Sequence, residues 1–241
     1  MSKEPGALLA IDTSTRRTSV ALSYGASLRG VRSVDRDAGE LLDLVTALLS
    51  AAGLGPRSLD GIVVGTGPGS FTGLRIGLAT AKTLAYILDI PLLGVPTVEA
   101  LAHAATRPGQ LAESDAPSEG TMLVLLAAGA RDHYLARVYD PGGAARLACP
   151  VELLAPGSPL PAQVGGNDAM TVEIASAPLG PEAAARGRDA LDGLAEALLA
   201  LGHQRFLAGD RVDAATLVPE YVALPRGIAV AAGGSWSPDL R

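Results

Sequence analysis

Between residues 61 and 88, one stretch of the chain limits its fold more than any other. The unbroken apolar run Gly61-Ile62-Val63-Val64 feeds into Gly65-Thr66-Gly67-Pro68-Gly69-Ser70, and a helix-patterned segment follows from Phe71 to Leu88. A short apolar run without alternation is what a strand covered on both faces requires, so a layered α/β fold is expected. Gly65, Gly67, Gly69 and Gly73 permit positive φ angles and close backbone approach. The start of the following helix would present free N–H groups and a positive dipole end to an anion. Two readings follow: a phosphate-facing loop, or a tight turn that lets the helix pack closely. Glycine content alone favours the turn. No Gly-Lys-Ser/Thr closes the loop and the next lysine is Lys82, so it is not a Walker A loop.

Upstream, Ala7 to Ile11 reads as a strand ending at Asp12, followed by Thr13-Ser14-Thr15 and the alternating segment Thr18 to Tyr24. A third strand is predicted over Ser27 to Val34, with Gly25 as the hairpin punctuation. Glu40 to Ala52 is helical in pattern, Pro91 to Val95 is a buried strand, and Thr97 to Ala105 is a short helix, completing a βββαβαβα order. Asp12 with Thr13 and Ser14 at a strand C-terminus could face a metal-bound phosphate. The same residues could instead satisfy the turn's own backbone through Asx and ST hydrogen bonds.

Residues 106–120 are polar and aperiodic, which places a linker there between an N-terminal domain, 1–105, and a second one, 121–226. The second half restarts with strands at Met122 to Ala127, His133 to Tyr139 and about Ala145 to Val151. A Pro/Gly-rich stretch, a helix over Pro181 to Leu201 and a tail, 227–241, follow. Three strands followed by helix-bearing sequence thus occur twice, the second time in reduced form.

Hydrophobic residues make up 48% and charged residues 18%, enough apolar surface for a sizeable core. The formal charge of −6 disfavours a protein that grips nucleic acid unaided. His103, His133 and His203 lie far apart in sequence with no HxxxH or HExxH spacing, so no metal site is predicted. Cys149 is the single cysteine, which fits a reducing, cytoplasmic setting. Neither a secretory signal nor a run of 18 apolar residues is visible. Ser70 lies in GPGSFTG, which is not the GxSxG nucleophile elbow.

The two loops, the element order and the restart after residue 120 resemble the acetate kinase, sugar kinase, Hsp70 and actin (ASKHA) superfamily. Within it, DGIVVGTGPGSFTGLRIGLATAKTLAYILDIPLLGVPTVEALA (Asp60 to Ala102) and LLAIDTSTRRTSVAL (Leu8 to Leu22) closely resemble the TsaB (YeaZ) family. The resemblance implies an α/β fold of two related ASKHA-like halves. It also implies a non-catalytic subunit of the machinery that installs N6-threonylcarbamoyladenosine next to the anticodon of tRNAs reading codons that begin with adenine. The implied partners are the paralogue TsaD, which transfers threonylcarbamoyl from its adenylate, and the ATPase TsaE, with tRNA met through the complex. No cofactor of its own is implied, ATP and metal being used by the partner subunits. Thr13-Ser14 replaces the glycine region of the superfamily's Asp-x-Gly-Thr loop, so Asp12, Thr13, Ser14, Gly67, Gly69 and Ser70 are expected to be vestigial phosphate-loop positions. The alternative is an ATP-binding or ATP-hydrolysing enzyme in its own right.

The helices at 40–52 and 71–88 carry apolar side chains over more of their circumference than one buried face needs. The surplus predicts a TsaD-binding or self-associating surface at Leu41, Leu44, Leu48, Phe71, Gly73, Leu74, Gly77 and Leu78. The other reading is that the chain's own second domain covers it.

Overall fold

In a computed structural model, the described residues are 6–35, 38–106, 121–129, 131–140, 143–160, 169–210, 212 and 214–222. The predicted linker after Thr106 and the tail at 227–241 lie outside them. Strands β1 (Ala7–Asp12), β2 (Arg17–Tyr24) and β3 (Ser27–Asp35) precede helix α1 (Leu41–Ala51). Strand β4 (Leu59–Gly65), helix α2 (Phe71–Leu88), strand β5 (Leu92–Val95) and helix α3 (Thr97–Ala105) follow. The first sheet has the order β3-β2-β1-β4-β5, antiparallel from β1 to β3 and parallel from β1 to β5. The second sheet uses β6 (Thr121–Ala127), β7 (His133–Tyr139), β8 (Arg146–Leu147), β9 (Glu152–Leu154) and β10 (Ala169–Val172). Its order, β10-β6-β7-β8 with β9 also on β7, repeats the first without the last parallel strand. The fold is thus α/β with two ASKHA-like sheets, the second reduced.

The period-2 pleat of β1 sends its side chains to two different cores. Leu9 and Ile11 join Val20, Leu22, Ile62 and Val64 beneath α1 and α2. Leu8 and Ala10 join Val63 and Leu93 on the other face, against α3 and helix α5 (Leu194–Leu207). That second core also holds Met122, Val124, Val138 and Met170 of the second sheet, so one apolar layer serves both sheets. Helix α5 packs on the first sheet and α3 through Leu194, Ala195, Ala197, Leu198, Leu201, Gly202 and Phe206, while Gln204 and Leu207 face outward. It comes close enough to β4 that a Cβ at Gly202 would stand 2.3 Å from Val63 Cγ2.

Two local expectations change. The single helix over Pro181 to Leu201 is α4 (Pro181–Asp192) and α5, separated at Gly193, where an added Cβ would meet Ala104 of α3 at 3.3 Å. The strand over Ala145 to Val151 is two short strands around Pro150, which lacks the N–H a ladder needs. Strand β10 was not anticipated: four buried residues behind a Pro/Gly-rich stretch are too short to show a period.

The shared core contains a charged joint. Arg205 of α5 pairs with Glu99 of α3, with side chains 9% and 5% exposed. Leu147 N donates to Glu99 Oε1 at 2.8 Å, and Arg205 reaches the carbonyls of Gly94 and Ala145 at 3.4 Å. Removing one partner strands the other charge in the core. Arg205→Met should therefore cost about 3–5 kcal/mol in urea denaturation, and the double variant E99L/R205M should recover much of that loss.

Candidate functional site

The C-terminal ends of β1, β4 and β5 converge, and the residues leaving them meet. Asp12, at the end of β1, is fully buried. Ser14 N donates to Asp12 Oδ1 at 2.9 Å, and Thr97 Oγ1 donates to Asp12 Oδ2 at 2.9 Å. Ser14 Oγ lies 2.9 Å from both Asp12 Oδ1 and Thr97 Oγ1, and Gly67 N donates to Thr97 Oγ1 at 3.2 Å. Three short oxygen–oxygen contacts thus join Asp12, Ser14 and Thr97, while the two hydroxyls supply only two hydrogens. The third contact is a hydrogen bond only when Asp12 carries a proton. Burial, partly offset by hydrogen bonds from Ser14 and Thr97, raises the carboxyl from the ordinary 3.8 to about 6.

The two predicted loops do not leave a gap between them. Ser70 N donates to the Ser14 carbonyl at 2.6 Å, and Thr13 Oγ1 donates to the Gly73 carbonyl at 2.7 Å. A Cβ at Gly69 would sit 2.1 Å from Ser14 O, and one at Gly73 would sit 1.9 Å from Thr13 O. At Gly77 it would meet Thr13 Oγ1 at 2.1 Å. The carbonyl of Ser14 therefore takes the amide that a phosphate oxygen would use at the start of α2, and Ser70 Oγ caps the helix by accepting from Gly73 N at 3.2 Å. Thr13, Ser14 and Thr15 are all buried. The two loops are in direct contact over Thr13, Ser14, Gly69, Ser70 and Gly73. Of the predicted positions, Asp12, Thr13, Ser14, Gly67, Gly69 and Ser70 are brought together here, as a seam rather than a cradle.

Thr97 was read only as a helix start, although it is central to this network. The available signal was its position directly after Pro96, at the end of the strand next to the Gly-rich loop.

Most of the residues expected at a partner surface are not on the surface. Leu41, Leu48, Leu74 and Leu78 are buried in the core between α1, α2 and the first sheet, and Gly73 and Gly77 admit Thr13 rather than another helix. Leu44 and Phe71 are half-buried. The periodicity correctly marks an apolar stripe, but the sheet covers it. The outward apolar positions are instead Leu42 on α1, 55% exposed, and Tyr86 and Ile87 on α2, 85% and 70% exposed. The small residues Ala47, Ala79 and Thr83 are exposed on the same two helices.

His103, His133 and His203 stand on α3, β7 and α5, and among the described residues no three His, Cys, Asp or Glu form a metal-binding group. No described helix is long and apolar enough to cross a membrane.

Fold and site together define an ASKHA-like protein whose first phosphate loop is closed by its own backbone. Residues 36–163, more than half of the chain, match the family model described as TsaD: tRNA N6-adenosine threonylcarbamoyltransferase. The tRNA threonylcarbamoyladenosine biosynthesis protein TsaB of Haemophilus influenzae is 37% identical over 100 residues, covering 41% of this chain and 42% of that protein. TsaB of Bacillus subtilis is 41% identical over 103 residues, covering 39% of this chain and 43% of that protein. The matches thus span less than half the length of these curated relatives. YeaZ from Pseudomonas aeruginosa, a solved structure, superposes with a TM-score of 0.69 at 28% identity, covering 89% of this chain and all of that one. The chain belongs to the TsaB (YeaZ) family.

Because folded Asp12 holds its proton more tightly than unfolded Asp12, its contribution to stability is complete below pH 3.8 and is lost as pH rises through about 6. Asp12→Asn should flatten that part of the stability–pH curve, a change on the order of 2–3 kcal/mol between acid and neutral pH in denaturant titrations. Gly73→Ala presses a methyl group into the Thr13 carbonyl and should destabilise the fold by about 3 kcal/mol, read from the same titrations.

Proposed function

We propose that the protein is a non-catalytic subunit in tRNA threonylcarbamoyladenosine biosynthesis, binding and activating a TsaD-type transferase. The observation that carries this reading is the closed seam. Asp12 and its hydroxyl neighbours are consumed in holding the loops together, which leaves them unable to bind phosphate or metal as an ASKHA enzyme's first loop would. In this proposal the chain needs no cofactor of its own. Its paralogue and a TsaE-type ATPase handle ATP and metal in the cytoplasm, and tRNA is held mainly by the partner. The names of the relatives supply the pathway.

Contact with the transferase falls on the outward side of α1 and α2, around Leu42, Tyr86 and Ile87, with small residues between them permitting close helix approach. A second copy of this chain could take the same surface when the transferase is missing.

The deciding experiment is reconstitution of tRNA modification from threonylcarbamoyl-AMP and the transferase, with and without this protein. Product should depend on it. Equal product in its absence, or product from this chain alone, contradicts the assignment. Tyr86→Asp and Ile87→Asp should weaken capture of the transferase at least about tenfold at an unchanged melting temperature. Leu48→Asp should unfold the chain instead.

A further inference from the structure

After α5 the chain turns back over the first half and is fastened there at four points. Val212 N donates to Leu92 O at 3.2 Å on the edge of β5. Leu217 is buried in the recess that Gly94 leaves, where an added Cβ would stand 2.7 Å from Leu217 Cδ1. Glu220 N donates to Thr66 O at 2.8 Å, beside the Gly-rich loop. Tyr221, 43% exposed, then reaches the first turn of α2, its ring centroid 5.2 Å from that of Phe71.

This strap also holds a cation. The guanidinium of Arg75 lies over the Phe71 ring, 3.8 Å from its centroid, and Arg75 Nε donates to Tyr221 Oη at 3.3 Å. Arg75 is exposed, yet the ion pairs among the described residues engage Arg17, His103, Arg137 and Arg205 and leave Arg75 out. A guanidinium stacked on a ring and tied at Nε has given up rotamer freedom before any partner arrives, so less is lost when one does. Its two terminal nitrogens are left to meet a carboxylate end-on. The fold thus orders a planar cation at the surface without supplying its anion.

The position of Arg75 says where that anion comes from. Arg75, Ala79, Thr83 and Tyr86 fall at i, i+4, i+8 and i+11, one row along α2, and all four are exposed. The row runs from the stacked arginine to Tyr86 and Ile87, the surface assigned to the transferase. Arg, Tyr and Phe are also the side chains enriched where interfaces concentrate their energy.

Resting on that assignment, we propose that Arg75 is the polar anchor of the transferase interface, pairing with an Asp or Glu carboxylate of the transferase. Tyr221 is its positioning residue, which makes the strap, residues 214–222, part of the interface.

Titration of the full-length protein against the TsaD-type transferase of the same organism, at low and physiological salt, tests this. Arg75→Gln should weaken binding about tenfold and flatten its salt dependence. Arg75→Lys should restore the salt dependence and only part of the affinity, because an ammonium lacks the planar fork. Tyr221→Phe, which removes one hydroxyl and keeps the ring, should cost about threefold in the parent and nothing in the Arg75→Gln background. Arg57→Gln, at an exposed arginine elsewhere, should change nothing. Melting temperatures should stay close to the parent throughout. Affinity and salt dependence unmoved by Arg75→Gln would overturn the proposal, whether or not the melting temperature falls, because the stack then only fastens the strap. If Tyr86→Asp weakens binding and Arg75→Gln does not, the anchor alone is lost and the subunit reading survives. A parent protein that does not bind the transferase overturns both.

Discussion

The seam between the end of β1 and the start of α2 is the contact on which most of the first half depends. Four elements leave or enter within it: β1 ends at Asp12, β4 runs into Gly67, α2 begins after Ser70, and α3 begins at Thr97. The hydrogen bonds among Asp12, Ser14, Thr97 and Gly67 fix these ends to one another inside a region without solvent. Networks of this kind are strong when every member is satisfied and costly when one is missing. At neutral pH the network carries a charge that its burial opposes. The glycines keep their value without a ligand, because Gly69 and Gly73 are where two backbones touch. A loop with the outward signs of phosphate binding has become a structural joint, and the orientation of α2 follows from it.

What the sequence made legible was local. The limits of α2 and α3 were readable because a Gly-rich loop, a capping serine and a proline mark them, and the first-sheet strands because their apolar runs are bounded by turn residues. The seam itself was half legible: the hydrogen-bonding role of Asp12 and the packing role of the glycines were both among the readings of those residues, but nothing local connects Thr97 to Asp12 across 85 positions. Periodicity also showed that α1 and α2 have apolar stripes, yet it could not say what covers them. Leu48 and Leu78 turn out to lie under the chain's own sheet, which leaves Leu42, Tyr86 and Ile87 as the exposed large apolar positions on the two helices.

The largest departure from a reading in successive halves is α5. It comes late in the chain, yet it lies on the face of the first sheet opposite α1 and α2, with Gly202 against Val63 and Phe206 against Gly61. The sequence showed helix in this region, but the identity of its neighbours was a non-local fact. The Glu99–Arg205 pair fits this position. Its neutralised charges sit where α3, α5, β5 and the segment at Ala145 meet, so its hydrogen bonds fix the relative placement of elements from both halves. A purely apolar contact at that point would hold the layers together with less control over their register.

The two sheets repeat one strand order but treat their loops in opposite ways, and the difference lies in the chemistry of a few positions. In the first, a serine carbonyl and two hydroxyls fill the space beside a helix start, and the amides of Ser14, Ser70 and Gly73 find partners within the chain. In the second, Arg131, His133 and Glu173 stand beside an open cleft that Arg16 of the β1–β2 turn also lines. An ASKHA-like frame can thus keep its strand order while its first loop becomes a joint that fixes the start of α2 against the end of β1.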